Sequence, residues 1–383
     1  CFITMIHYNN KNFLGILFRV KGTVFTDIKW KVAFFMVWSL VPAYLEYAQT
    51  FRDEIVDGSQ VQSRAAAAGL TSAGFKHFYE NFALVLSLLL SFRVNFAYNR
   101  WEAGMLLMGQ LSNAARQIIS TSCTFINCNN APMDKEAKDP EKDKLTVESL
   151  LKIQRYVLSA CILCMKWSQD PAVKDIKSLL VTGLLTQEEY DDLTKTKFIA
   201  TTRGFPIEAR PSLVLSLLRR ELTRCWRNNI LHVALLDVIN VHINDLSTTN
   251  QALGRVSKTP MPFIYAHFMK MLLTAFVMLT PFGIAGELKW FTPIATMIIA
   301  IVMFGTDQIA VHIEEPFGGD TNDINPMESI ARIQRETQSL LSWRLRQLDL
   351  PKELNTYDLN LFDQSDEMVT QRYELNTTLY EDS

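Results

Sequence analysis

His312 and Glu315 stand three residues apart at the end of a long apolar stretch. On a helix that spacing puts an imidazole and a carboxylate on one face, where they could hold a metal ion. A carboxylate-bridged site needs two such motifs and further glutamates, and His242 with Asp245 is the nearest second motif. The bland alternative is a histidine packed at the end of a helix. Cys161 and Cys164 form a CxxC within LSACILCMKW. With no second CxxC or His pair nearby to complete a zinc site, it reads as one turn of an apolar helix, with redox chemistry as the alternative. His77, His232 and His267 are isolated and suit local hydrogen bonds. Neither a GxSxG nor a Gly-rich phosphate loop occurs, so nucleophilic and phosphate chemistry have no motif behind them.

A different chemistry, the passage of ions, is offered by ENFALVLSLLLSFRVNFAYNRWE, Glu80 to Glu102. It turns from apolar to polar halfway, with no Gly or Pro to break a helix. At 100° per residue, Leu84, Leu88, Ser91, Phe92, Asn95, Asn99 and Glu102 gather on one narrow arc, and Arg93 and Arg100 fall nearly opposite. Such a helix is either half buried in a core, or the lining of a conduit with a ring of each residue type where several copies surround an axis. In the second case Leu84, Leu88 and Phe92 make an apolar constriction able to gate by dewetting. Asn95 and Asn99 then offer neutral amide donors to an anion, while the arginines face away toward carboxylates or phosphates.

Four apolar segments must position these residues: Trp30 to Tyr47, the stretch just described, Pro262 to Gly286, and Trp290 to Thr306. None gives 20 uncharged residues in a row, since Arg93 and Lys270 interrupt the second and third. Buried helices of a large soluble protein and membrane helices with polar positions facing inward both fit. The short link Glu287–Lys289 favours a helical hairpin crossing a membrane twice. From about Met105 to Ser257 apolar residues recur at spacings of three and four, which predicts a helical soluble region. Asn129 to Lys144 reads there as a charged linker, and Thr202 to Pro211 as a Gly/Pro break. Strand-type alternation is scarce and no fixed repeat is evident.

The 383 residues are 48% hydrophobic, enough for a large core, and the net charge of -2 gives no basic surface for nucleic acid. Six cysteines are too sparse for a disulfide scaffold. From Pro351 to Ser383 eight acidic residues face Lys352 and Arg372, the composition of an extended tail. Asn376-Thr377-Thr378 matches a glycosylation sequon and reads as incidental.

Phe18 to Phe35 (FRVKGTVFTDIKWKVAFF), Ser91 to Trp101, Gly109 to Ile118, Arg210 to Leu218, Thr259 to Phe268 and Ile313 to Ser329 (IEEPFGGDTNDINPMES) follow one another in an order and spacing that resembles the bestrophin family of anion channels. GGDTNDINP is most similar to bacterial and algal members. The resemblance covers about residues 18 to 345 and leaves the tail outside.

The resemblance implies an all-α polytopic membrane protein, a homopentamer with four membrane helices per subunit, a large helical cytosolic or stromal portion, and a central pore for chloride and other small monovalent anions such as bicarbonate. On that expectation residues 1–27 are an N-terminal segment, 28–102 hold membrane helices 1 and 2, and 103–258 form the soluble portion. Residues 259–312 hold membrane helices 3 and 4, 313–350 an acidic turn and helix, and 351–383 the tail. The pore neck maps to Leu84, Leu88 and Phe92, with Ser91, Asn95 and Asn99 as polar lining and Ser212 as a second, cytosolic constriction. Asp320, Asp323 and Glu315 match the carboxylates of a calcium clasp found in some members, and oxygen ligands on a Gly-rich turn suit that hard cation. The sequence departs from the family at Glu102 and Met105: a carboxylate on the pore-facing arc would repel anions unless it pairs with a base. Photosynthetic members lie in thylakoid membranes, and a start at Cys1 rather than Met is consistent with a removed transit peptide. The metalloenzyme built on His312 and Glu315 and a non-conducting scaffold with the same fold remain as alternatives, and no nucleic-acid partner is expected.

Overall fold

The computed structural model describes residues 23–46, 73–127, 140–168, 176–195, 206–318 and 323–348. Every regular element among them is helical. The helices are α1 (Phe25–Trp38), α2 (Ala73–Phe125), α3 (Pro140–Ser168), α4 (Lys177–Val181), α5 (Gln187–Thr194), α6 (Arg210–Arg227), α7 (Val233–Lys258), α8 (Phe263–Leu288), α9 (Thr292–Glu314) and α10 (Pro326–Gln347).

Among the described residues, two hydrophobic cores share the helix that holds the second apolar segment. In one, Leu86 and Leu90 of α2 pack with Ile28 and Phe35 of α1, Leu273 and Phe276 of α8, and Ala300 and Phe304 of α9. In the other, Leu111, Ala115, Ile118 and Ile119 of the same helix pack with α3, α6, α7 and α10. α2 is 53 residues long, about 80 Å at 1.5 Å per residue, and serves both. Its Leu86 and Leu90 belong to the first core and its residues from Met108 onward to the second, with the exposed polar positions Asn95, Asn99 and Glu102 between them. It therefore continues well past Glu102, where the predicted membrane segment stops.

Among the described residues, three stretches are long and apolar enough to cross a membrane: Phe25–Glu46, His77–Phe125 and Val233–Glu314. The last holds both α8 and α9, so the third and fourth predicted segments fall within it. Lys289 takes a positive φ of 43° and, with the short 3-10 turn Lys289–Phe291, reverses the chain between them. α9 runs past the apolar stretch that ends at Thr306 and closes at Glu314, two residues beyond the expected bound of 312, and its polar last turns have partners on α1 and α2, described below.

The second core shows its sequence pattern directly. α6 buries Val214, Leu215, Leu218, Leu222 and Cys225, one face of a helix, against α3, and Pro211 sits in its first turn where a missing N–H costs nothing. The predicted charged linker Asn129–Lys144 is shorter than expected: its last five residues open α3, with Glu141 and Asp143 at the favourable end of the helix dipole. α5 starts with a capping box between Thr186 and Glu189. Residues 1–22, the sequon and the tail from 351 onward lie outside the described residues.

Candidate functional site

The arc predicted on α2 is one continuous exposed stripe. Leu84, Leu88 and Phe92 are 67%, 53% and 57% exposed, although they sit between the buried Leu86, Leu90 and Arg93. Ser91, Asn95, Asn99 and Glu102 are exposed along the same side. An apolar face of this size left open on a packed helix marks a surface made to meet something else. Serine adds a detail that the helical wheel could not give. The Ser91 hydroxyl donates to the Ser87 carbonyl at 2.8 Å, so its proton is already committed and its lone pairs face outward. The amides of Asn95 and Asn99 are the neutral donors on the stripe. Glu102 forms no ion pair among the described residues.

The back of α2 is as specific as its front. Arg93 is 2% exposed and its Nη1 lies 2.5 Å from Asp307 Oδ1 on α9. About two turns further on, Arg100 donates from Nε to the Glu314 carbonyl at 2.9 Å, from Nη2 to the Val256 carbonyl at 2.7 Å, and from Nη1 to the Thr259 carbonyl. These carbonyls belong to the last turns of α9 and α7, the negative ends of two helix dipoles, so one guanidinium caps both. The Glu314 carboxylate in turn accepts the Met261 backbone N–H at 2.8 Å and ties the start of α8 to the same junction. Sequence reasoning turned both arginines away from the stripe without finding Asp307. A signal was there: Arg93 and Arg100 are seven apart, as are Asp307 and Glu314, which is the repeat expected of two helices running side by side in the same direction.

His312 and Glu315 are not a pair on one helix face. α9 ends at Glu314, Glu315 follows it with φ -106° and ψ 82°, and His312 Nε2 lies 2.6 Å from Asp27 Oδ2 at the start of α1. Among the described residues no group of three His, Cys, Asp or Glu is placed to hold a metal ion. Cys161 and Cys164 are fully buried free thiols in the second core. Burial pushes Cys161 up to about 12 and Cys164 well above the ordinary thiol value, which suppresses the thiolate that redox or zinc chemistry requires.

Of the clasp carboxylates, Asp320 lies outside the described residues, Glu315 is exposed and Asp323 is buried. The turn between them is close-knit: the Gly318 N–H donates to the Glu315 carbonyl at 3.1 Å and the Ile324 N–H to the Pro316 carbonyl at 2.9 Å. A Cβ on residue 318 would stand 2.9 Å from Asp323 Oδ2, so glycine is what lets the carboxylate and this backbone approach each other. Pro316 and Ile324 press on α2 at Gly104, where a Cβ would meet them at 3.1 Å. Ser212 is exposed on α6, its carbonyl accepting the Ser216 hydroxyl at 2.9 Å.

Residues 5–339 match the family described as Bacterial/Fungal Bestrophin protein. The chain belongs to the bestrophin family. A bestrophin homologue from Klebsiella pneumoniae superposes with a TM-score of 0.62 at 17% identity, covering 82% of this chain and 98% of that one, so the bestrophin fold is shared. A Synechocystis protein named as voltage-dependent anion channel-forming is 28% identical over 250 residues, 65% of this chain and 72% of its own length. Another of that name, from Nostoc, is 26% identical over 283 residues, 71% of this chain and 80% of its own. One from Mesorhizobium japonicum is 22% identical over 330 residues, 86% of this chain and 90% of its own. The anion-channel names are those of the relatives; for this chain, family membership and the apolar stretches long enough to cross a membrane point to a membrane protein.

Proposed function

We propose that copies of this chain assemble as a homopentamer around an axis lined by α2 and pass small monovalent anions, chloride and bicarbonate among them, passively across a membrane crossed four times by each subunit. The observation that carries this reading is the open stripe on α2, where three large apolar side chains and then two amides follow one another along a single face. Leu84, Leu88 and Phe92 serve as the neck, whose dry wall admits weakly hydrated anions more readily than strongly hydrated ones. Asn95 and Asn99 solvate the ion below it, and Ser212 contributes a second, wider constriction. The relatives come from enterobacteria and rhizobia as well as cyanobacteria, so the proposal is an integral membrane protein, with no preference for a thylakoid. The anion-channel names of those relatives support the reading without specifying an anion.

Calcium is proposed as a ligand of the acidic turn. Asp323, with Glu315 and Asp320, would supply oxygen donors of the kind this hard cation takes, and the approach of Asp323 to the glycine backbone at 318 fits such a cradle. Calorimetric titration of calcium into the wild type and Asp323→Ala checks it, equal heats in both arguing against the site. A scaffold role is the second reading, favoured by Glu102, whose carboxylate on the same stripe opposes anion entry.

Reconstitution in planar bilayers decides between them. Under chloride and bicarbonate gradients the reversal potential is expected to follow the anion gradient. Protein that is pentameric by mass yet passes no anion current would overturn conduction and leave the scaffold.

A further inference from the structure

Between α1, α8 and α9 lies a cavity of about 540 Å³ that opens on the outside of the helices. Trp30 and Phe34 of α1, Leu273 of α8 and Phe304 of α9 form its walls, and Lys31 and Lys270 reach into it. Trp30 and Phe34 are 78% and 59% exposed, so the apolar wall is uncovered on one side. The acid in the lining is Asp307, which already pairs with the buried Arg93. Neither lysine has a carboxylate partner among the described residues, and Lys31 Nζ rests 5.9 Å from the centre of the Phe304 ring. Three cations against one carboxylate leave the groove with two uncompensated positive charges beside an apolar wall.

Depth makes the ligand more specific. The starts of α1 and α8 and the end of α9 lie at one level, joined by Asp27 with His312 and by the Met261 N–H with Glu314. Lys31 is six residues into α1 and Lys270 seven into α8, about 9 and 10 Å below that level at 1.5 Å per residue. α8 itself, at 26 residues, is about 39 Å long, close to the full thickness of a bilayer with its headgroups. With α8 spanning a bilayer and its headgroups from end to end, the lysines would lie just inside the hydrocarbon boundary, from where a flexible stem brings an ammonium to the phosphate level.

We propose that this groove binds an anionic phospholipid, its phosphate held between Lys31 and Lys270 and one acyl chain laid along Trp30, Phe34 and Leu273. Charge complementarity selects an anionic headgroup over a zwitterionic one, and the apolar wall selects a lipid over a free anion. The proposal rests on the membrane placement of α1, α8 and α9 and not on conduction.

The test uses the full chain in detergent, incubated with phosphatidylglycerol, with phosphatidylcholine, or with inorganic phosphate, and read by native mass spectrometry and thermal denaturation. Phosphatidylglycerol is expected to be retained and to raise the melting temperature, with phosphatidylcholine and phosphate doing neither. Lys31→Gln with Lys270→Gln is expected to weaken retention about twenty-five-fold, at roughly fivefold for each lysine near a membrane surface. Lys31→Arg with Lys270→Arg keeps the charge and is expected to keep the lipid, which separates charge from folding. Equal retention of the two phospholipids, or full retention by the glutamine variant, would overturn the site. So would inorganic phosphate acting as well as the lipid, or a crosslink from Trp30→Cys to a neighbouring copy that forms equally with and without lipid. Bilayer currents from the same protein are scored separately: lipid binding without current sinks conduction alone, and current without lipid selectivity sinks the lipid site alone.

Discussion

Arg93 on α2 and Asp307 on α9 form an ion pair of 2.5 Å whose side chains are 2% and 6% exposed, inside the apolar core of the membrane-facing half. An isolated charge there would be expensive, and the pair exists only because two helices far apart in sequence run side by side. Its position on the side of α2 away from the open stripe keeps both charges from the proposed ion path.

Removing one partner is therefore expected to cost more than removing both. Arg93→Met or Asp307→Leu alone leaves an unpaired buried charge, and about 3–5 kcal/mol of stability is expected to be lost. The double variant is expected to recover most of it. Thermal unfolding of the four proteins in one detergent gives the coupling, and additive losses would show that the pair is not energetically joined.

Arg100 is expected to tolerate lysine poorly. Lysine carries the charge but cannot reach three carbonyls in a fixed fork, so at least one helix end loses its cap. Arg100→Lys is expected to lower stability by about 2 kcal/mol, the range for a hydrogen bond to a charged donor together with the carbonyl it leaves behind. Faster amide exchange in the last turns of α7 and α9 would locate the effect, and unchanged exchange there would contradict it.

Leu88 predicts the opposite separation of effects. Its side chain is mostly exposed in the subunit, so Leu88→Ala is expected to change subunit stability by less than about 0.5 kcal/mol. In the proposed ring the same change would widen the neck, and single-channel conductance or gating is expected to shift. A current identical to wild type would show that the stripe does not line the path.

Between α3 and α5, Arg155 grips Glu189 with two hydrogen bonds of 2.8 and 2.9 Å, and the Tyr156 hydroxyl adds a third at 2.9 Å. Burial alone would raise the Glu189 carboxyl, but the Thr186 backbone, Arg155 and Tyr156 outweigh it and hold it below the usual range. A depressed folded value gives stability that is complete above the unfolded carboxyl value, about 4.3, and is lost as pH falls through the folded one. Glu189→Gln is expected to be less stable at pH 7 and to show a flatter loss of stability below pH 4.5. Parallel acid limbs for variant and wild type would count against this.

Some of this was legible early because it is periodic. The stripe on α2 follows from 100° per residue alone, and the buried face of α6 follows from apolar positions three and four apart. CxxC at Cys161 reads as a helix turn for the same reason, and full burial agrees. The ends of helices were harder. α9 outruns its apolar stretch because Asp307, His312 and Glu314 find partners, and a hydropathy pattern has no sign for a satisfied polar residue.

By itself, then, the sequence determined the helical class, the apolar segments, and which side chains share a face, since each depends on residues a few positions apart. Only the tertiary structure decided what those faces meet. Arg100 and the Glu314 carbonyl are 214 residues apart, and His312 and Asp27 are 285 apart. No local spacing encodes such contacts, because they form only when the packing of two cores brings distant helix ends to one level.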